Sequence, residues 1–227
     1  MIRLTLVAGP VFLVTLPAWP GLTDFSQTLI EDSVKRFGGE ARQRLQTFQT
    51  EVRGIKGMAG PAFKQAMTHP SDGQTEMPVL REVNNFFNQI PYIPDQEHWK
   101  VPEYWATPVE FVASFGGNCK DYSIAKYMTL KEAGVPIERM RITYVRALRV
   151  GESHMVLAYY PNPDADPWIL DNLDTVIKRA SARTDLAPVF GFNDDDLWMG
   201  DAARKGGASN VRSWRELLEK MAREQKM

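Results

Sequence analysis

The stretch Gly116-Gly117-Asn118-Cys119-Lys120-Asp121-Tyr122 contains the only cysteine of this 227-residue chain. Asn118 is a favourable N-cap residue, and Asp121, three positions later, suits the positive end of a helix. We therefore predict a helix whose first residue is Cys119. Unpaired backbone N–H groups at that position favour a thiolate and can hold a developing oxyanion. A lone cysteine is more often a small buried hydrophobe, but this context indicates a nucleophile.

The composition excludes several classes of protein. The chain has 27 basic and 28 acidic residues and a net charge of -1, so no basic excess marks it for nucleic acid. A single cysteine forms no intramolecular disulfide, and only three histidines, His69, His98 and His154, could join it in a zinc site. Structural zinc is therefore not expected.

The first 20 residues have the form of a signal peptide. Met1-Ile2-Arg3 gives a short basic start, residues 4–16 are mostly apolar, and Pro17 and Pro20 close the segment. We predict export from the cytoplasm, with a retained N-terminal anchor as the alternative, because the cleavage site is not a clean small-x-small match. Residues 21–227 are expected to form a single domain.

The part of the domain from about residue 21 to 135 is predicted to be helical. Two helices between residues 23 and 56 are separated at Gly38-Gly39, and a third has its apolar face within residues 79–90. Residues 91–108 form an aromatic, proline-rich segment that either lines a peptide groove or covers the core. A capping box from Thr107 to Glu110 starts another helix, which ends at Gly116-Gly117.

The part from about residue 138 to 200 is predicted to be rich in strands. Alternating residues at 140–150 indicate a strand, and further strands are predicted at 154–160 and 168–171. Their short connections indicate an antiparallel meander, with further strands beyond Asp171. His154 and Asp171 lie on neighbouring strands, and near-direct pairing would point both side chains to one face. A C-terminal helix at about 213–225 is expected to open with a capping box from Ser213 to Glu216. The fold class is thus α+β.

Cys119, His154 and Asp171 occur in the helix–strand–strand order that a papain-like catalytic triad needs. In that reading His154 is the base and Asp171 orients its imidazole. Two alternatives remain open. The same triad performs acyl transfer when a lysine amine, rather than water, resolves the thioester. A non-catalytic module would instead use the groove only to bind a peptide or a receptor.

The chain resembles the bacterial transglutaminase-like cysteine proteinases, specifically the LapG type. The matching stretches are WATP at 105–108, NCKDYSIAKY at 118–127, HMVLAY at 154–159 and ILDNL at 169–173, with weaker similarity at 183–186 and 192–193. The resemblance implies a transglutaminase/papain-like fold and a periplasmic endopeptidase with a Cys-His-Asp triad. It also implies cleavage of a large surface adhesin near its N-terminus, which promotes biofilm dispersal, and sequestration by an inner-membrane cyclic-di-GMP receptor.

The resemblance further implies calcium bound beside the nucleophile, and here the sequence departs from the family. Acidic residues generally flank the family's cysteine, whereas this chain has Asn118 and Lys120. Asp121 and Asn172 remain as oxygen donors if calcium binds. We therefore predict weaker calcium dependence than in the family, with Lys120 partly substituting for the cation. Trp105 is the candidate substrate-lining residue.

Overall fold

The computed structural model describes residues 21–69, 71–199, 203–204 and 208–227. The predicted signal peptide at residues 1–20 lies outside these ranges. None of the helices within them is both long enough and apolar enough to cross a membrane.

The helices occupy most of the N-terminal part of the chain, as the sequence predicts. Gly38, with φ 90°, separates the first two helices, and α3 is an additional helix that the sequence analysis did not predict. The helices are α1 (Gln27–Phe37), α2 (Glu40–Met58), α3 (Pro61–Thr68), α4 (Met77–Phe87), α5 (Asp95–His98), α6 (Pro108–Ser114), α7 (Cys119–Glu132) and α8 (Arg212–Glu224).

The strands form one sheet in which all paired neighbours are antiparallel. They are β1 (Met140–Ala147), β2 (Glu152–Tyr159), β3 (Trp168–Leu170), β4 (Lys178–Arg179), β5 (Leu186–Phe192), β6 (Leu197–Met199) and β7 (Ala203–Arg204). Within the described residues the strand order is β4-β3-β2-β1-β5-β6-β7. The predicted α+β class, with helices followed by an antiparallel meander, is confirmed.

Helix α7 runs through the centre of the molecule. It packs against α4, α6, β1 and β2, and every residue from Lys120 to Leu130 is buried. A helix enclosed on all sides needs no polar stripe, and its buried polar residues, among them Lys126 and Asp121, must find partners inside the protein.

The end of α6 differs from the prediction in its detail. The left-handed residue there is Phe115, with φ 57°, and not a glycine. The two glycines after it are required by close packing. A Cβ on Gly116 would lie 2.6 Å from Ile93 Cδ1, and a Cβ on Gly117 would lie 2.7 Å from Phe111 Cδ2. Gly116 therefore lets this turn pack against Ile93, and Gly117 lets it pack against Phe111 of α6.

The predicted capping box of the C-terminal helix is wrong. Helix α8 begins at Arg212, one residue before Ser213, and its N-cap Val211 has no side-chain hydrogen bond. Glu216 instead accepts a hydrogen bond of 2.7 Å from Arg212 Nε. The other predicted capping box, from Thr107 to Glu110 on α6, is confirmed.

The packing of Gly117 yields a stability prediction. We expect Gly117→Ala to lower the free energy of unfolding by about 1–3 kcal/mol, because the added methyl overpacks the contact with Phe111. Gly54→Ala is the matched control: it lies inside α2 with no atom within 4 Å of the added Cβ. That variant should stabilise the protein by up to about 1 kcal/mol. Urea unfolding measures both, and equal effects would contradict the packing role of Gly117.

Candidate active site

The cysteine lies at the position predicted for it. Cys119 is the first residue of α7, a free thiol that is only partly buried. Asn118 is the N-cap, and its Oδ1 accepts a hydrogen bond from the backbone N–H of Lys120 at 3.3 Å. Asp121 completes a capping box by accepting the Asn118 N–H at 2.9 Å. The local sequence thus places the sulfur of Cys119 at the N-terminus of α7.

Asp121 also ties this helix end to the chain segment that precedes α6. Its second oxygen, Oδ1, accepts the N–H of Ala106 at 3.0 Å. The carboxyl is 1% exposed, and burial raises its pKa to about 6, although Lys120 and the two N–H groups oppose the rise. At neutral pH it remains mostly ionised and holds both backbone segments.

The structure brings His154 and Asp171 together. Leu157 of β2 pairs with Leu170 of β3, which sets Asp171 diagonally across from His154 on the same face of the sheet. His154 Nε2 lies 2.7 Å from Asp171 Oδ1. Since Nε2 is engaged by Asp171, Nδ1 is the nitrogen left to interact with the Cys119 thiol, which is near enough to influence the imidazole.

The electrostatics of this pair favour a charged imidazolium. Burial disfavours the charge, but the hydrogen bonds and charges of Asp171 and Cys119 outweigh it and raise the pKa of His154 to about 9. Burial likewise disfavours ionised Asp171, yet His154, the Leu173 N–H and Arg183 hold its pKa well below the usual range. The site at neutral pH is therefore an ionised carboxylate beside a protonated imidazole.

Arg183 is a site residue to which the sequence analysis assigned no role. Its Nη2 lies 2.7 Å from Asp171 Oδ2 and 2.9 Å from Asp185 Oδ2, and Arg183 is 3% exposed. It follows β4 and a short 3-10 turn, so only the folded chain brings its side chain to Asp171. The weak similarity at residues 183–186 was the one signal in the sequence that pointed to it.

Two further side chains fix the backbone of Asp171. Asn88 Nδ2 and Lys126 Nζ both donate to the Asp171 carbonyl, at 2.8 and 3.1 Å, and Lys126 Nζ also donates to Asn88 Oδ1 at 2.8 Å. Burial lowers the pKa of Lys126 to about 7, although the charge of Asp171 opposes the shift. Helices α4 and α7 are thereby connected to the end of β3.

A second buried lysine lies beside Cys119 in sequence. Lys120 Nζ donates to both oxygens of Asp95, at 2.8 and 2.7 Å, and to Asn118 Oδ1 at 2.7 Å. It lies 3.7 Å from Asp121 Oδ2. Sequence analysis identified Lys120 but not its partner Asp95, which belongs to α5 in the aromatic, proline-rich segment.

Of the two candidate calcium ligands, Asp121 uses both oxygens on backbone N–H groups, as described above. Asn172 Oδ1 is buried without a hydrogen-bond partner. Within the described residues, no group of three or more His, Cys, Asp and Glu side chains is arranged to hold a metal ion.

Trp105, the candidate substrate-lining residue, directly precedes Ala106, whose N–H is held by Asp121. Its indole Nε1 donates to Glu103 at 2.8 Å, and its carbonyl accepts a hydrogen bond from Lys220 Nζ of α8 at 2.7 Å. It lines a cavity of about 510 Å³ between the aromatic segment and α8. Another aromatic residue lies near Cys119: Tyr92 forms a backbone bridge with Gly117 and is 54% exposed, and burial and the charge of Cys119 raise its pKa.

Comparison with known proteins shows to which family the chain belongs. The family model of the bacterial transglutaminase-like cysteine proteinases matches residues 62–186, more than half of the chain, and this range includes Cys119, His154 and Asp171. The chain belongs to that family. No curated protein sequence matches the chain.

Solved structures of Legionella pneumophila LapG are similar to this cysteine proteinase over nearly their whole length. One is 33% identical, with 89% of this chain and 98% of that chain covered and a TM-score of 0.68. A calcium-bound form is 34% identical, with 87% and 99% covered and a TM-score of 0.67. An EGTA-treated form is 31% identical, with 89% and 98% covered and a TM-score of 0.69. The resemblance to LapG-type proteases is confirmed.

The raised pKa of His154 predicts a pH dependence for the stability of this proteinase. Because the folded pKa of about 9 lies above the unfolded value, protonation of His154 stabilises the fold fully below about pH 6.5. This contribution is lost as the pH rises through about 9. We expect the Tm to fall more between about pH 6 and pH 10 in the wild type than in His154→Gln. Parallel falls in the two proteins, followed by circular dichroism, would argue against the charged pair.

Arg183 provides a second stability prediction. Arg183→Met removes a cation from buried Asp171 and should lower the free energy of unfolding by about 3 kcal/mol. The control is Arg212→Met, whose ion pair with Glu216 joins side chains that are 82% and 54% exposed. Because solvent screens both side chains, that variant should unfold at the same denaturant concentration as the wild type. If denaturant titration gave the two variants similar stabilities, Arg183 would not be holding Asp171.

Proposed function

We propose that this proteinase is a periplasmic cysteine endopeptidase that cleaves a large surface adhesin near its N-terminus and so promotes biofilm dispersal. The observation that carries the proposal is the arrangement of Cys119 at the N-terminus of α7 with His154, which is held by Asp171 at 2.7 Å. Membership of a cysteine proteinase family gives the reaction class. The adhesin, the periplasm and the signal peptide at residues 1–20 are parts of the proposal.

In the proposed mechanism, the resting site is a thiolate–imidazolium pair. His154 has accepted the Cys119 proton, and Asp171 both orients the ring and stabilises its charge. The raised pKa of His154 supports this state, because it keeps the imidazole protonated at neutral pH. No separate deprotonation is then needed when substrate arrives.

The thiolate attacks the carbonyl carbon of the scissile peptide, and the carbonyl oxygen becomes an oxyanion. The Cys119 N–H occupies the first position of α7, where helix geometry supplies no intrahelical acceptor, so it is available to hold that charge. His154 then gives its proton to the leaving amine as the C–N bond breaks, which leaves a thioester on Cys119.

Water completes the reaction. His154 takes a proton from water, the hydroxide attacks the thioester carbonyl, and the released thiolate regains its imidazolium partner. Acyl transfer would follow the same path with an amine in place of water. We propose hydrolysis, because the family to which the chain belongs consists of proteinases.

The surface beside the site suits an extended, apolar peptide. Leu148 and Val150 are more than half exposed on the β1–β2 turn, and Leu173 and Val176 are equally exposed just after Asp171. Such an apolar rim is compatible with the adjacent alanines that the family resemblance implies at the cleavage site. An inner-membrane cyclic-di-GMP receptor is the proposed regulatory partner.

The test is cleavage of an adhesin N-terminal fragment that contains adjacent alanines, followed by N-terminal sequencing of the products. We expect cleavage by the wild type and a loss of at least about 10³-fold in Cys119→Ala and in His154→Ala. His69→Ala, which changes an exposed histidine outside the site, is the matched control and should retain full activity.

Three results would count against the proposal. Cleavage by Cys119→Ala would exclude the thiol mechanism. A crosslinked product of higher mass, detected by mass spectrometry, would indicate acyl transfer. Failure of Cys119 to react with a mild alkylating agent at neutral pH would favour a non-catalytic binding module.

A further inference from the structure

The Lys120 ammonium group lies in a closed set of oxygen atoms next to the nucleophile. Its three N–H donors meet both oxygens of Asp95 and the side-chain oxygen of Asn118 at 2.7–2.8 Å. The side chains of Lys120 and Asp95 are 8% and 6% exposed. A carboxylate of Asp121 lies behind them at 3.7 Å. All donors of this cation are satisfied inside the protein.

A calcium ion at this place would need these same oxygens as ligands. Their present arrangement does not fit calcium. Calcium takes six to eight oxygens at about 2.3–2.6 Å. Here Asp121 already accepts two backbone N–H groups, and Asp95 Oδ2 accepts the N–H of Tyr104 at 2.9 Å as well as Lys120. Few oxygens therefore remain to coordinate calcium, and the ammonium group of Lys120 occupies the space between them.

Asn172 does not supply the missing calcium ligands. Its unpartnered oxygen follows Asp171 at the end of β3, while the oxygens around Lys120 come from α5 and the start of α7. To bind calcium, the protein would have to expel Lys120 and leave a buried ammonium group without its carboxylate. Breaking such a buried pair weakens affinity by at least about 100-fold.

We propose that Lys120 is a built-in cation that replaces calcium, so that this protease assembles its active site without a metal. The inference rests on the proposed function, since it concerns the same site. Lys120 is a positioning residue: it joins Asp95 of the aromatic segment to Asn118 at the cap of α7, and it thereby holds the helix end that carries Cys119. A calcium-bound LapG at 34% identity is the relative from which this chain would differ.

The first experiment measures calcium binding directly. Purified wild-type protein is treated with EGTA, which is then removed. Calcium is titrated into the protein in a calorimeter, and thermal melts are recorded with and without calcium. We expect no saturable heat, no shift in Tm and no change in the rate at which iodoacetamide alkylates Cys119. Stoichiometric calcium binding with a rise in Tm would overturn the proposal. Peptide cleavage does not enter these readouts, so a failure of the proposed substrate would leave them interpretable.

The second experiment creates the site that Lys120 fills. Lys120→Ala frees the oxygens of Asp95 and Asn118 and leaves two carboxylates without a cation, so we expect a lower Tm and slower alkylation of Cys119 in EGTA. Calcium should then raise the Tm and restore the alkylation rate in this variant while leaving the wild type unchanged. The double variant Asn118→Asp/Lys120→Glu adds two carboxylates and should bind calcium at least about 10-fold more tightly than Lys120→Ala.

Lys64→Ala is the matched control, because Lys64 is exposed on α3, away from the site. It should behave as the wild type in every measurement. A merely structural role for Lys120 predicts a lower Tm that calcium does not restore, and that result in both Lys120 variants would overturn the proposal. If Lys120→Ala fails to fold, the double variant and the wild-type calorimetry still test the proposal.

Discussion

The buried carboxylate of Asp121 is the constraint on which the site depends. One oxygen accepts the N–H of Asn118 and so begins α7, and the other accepts the N–H of Ala106, in the segment that leads into α6. A carboxylate in a low-dielectric interior is costly unless its lone pairs are used, and these N–H groups use them. One side chain therefore sets the start of α7, the position of Cys119 and the path of the loop before α6.

A second buried carboxylate, Asp171, organises the other half of the site. It receives His154 on one oxygen and Arg183 on the other, and its backbone carbonyl receives Asn88 and Lys126. These partners come from different elements, so the imidazole is held by the whole fold and not by one strand. These supporting contacts fix the orientation of the His154 ring more firmly than a lone His–Asp pair would.

Helix α7 connects the two halves. Lys120 at its start reaches Asp95, and Lys126, two turns further on, reaches the Asp171 carbonyl. The helix thus carries two buried lysines, one bonded to the aromatic segment and the other to the end of β3. Buried charges of this kind contribute specificity of position more than net stability, since their desolvation offsets much of the attraction.

The sequence by itself determined the local features of this protein. Asn118 and Asp121 predicted the start of α7 and the place of Cys119, because capping depends on residues within one turn. Alternation predicted the meander that carries His154 and Asp171, and the motifs around these residues indicated the cysteine proteinase family. The same local reasoning failed at Ser213, where Arg212 already belongs to the helix, and at Gly116-Gly117, where packing and not φ requires glycine.

Only the tertiary structure decided which distant side chains complete the site. Asp95 lies 25 residues from Lys120, and Arg183 lies 12 residues beyond Asp171 across a strand and a turn. No periodicity encodes such contacts, because they follow from how helices and sheet pack. The sequence showed that Lys120 stands beside the nucleophile. The fold alone shows that its charge points inward to a carboxylate, because burial leaves an ammonium group no other partner.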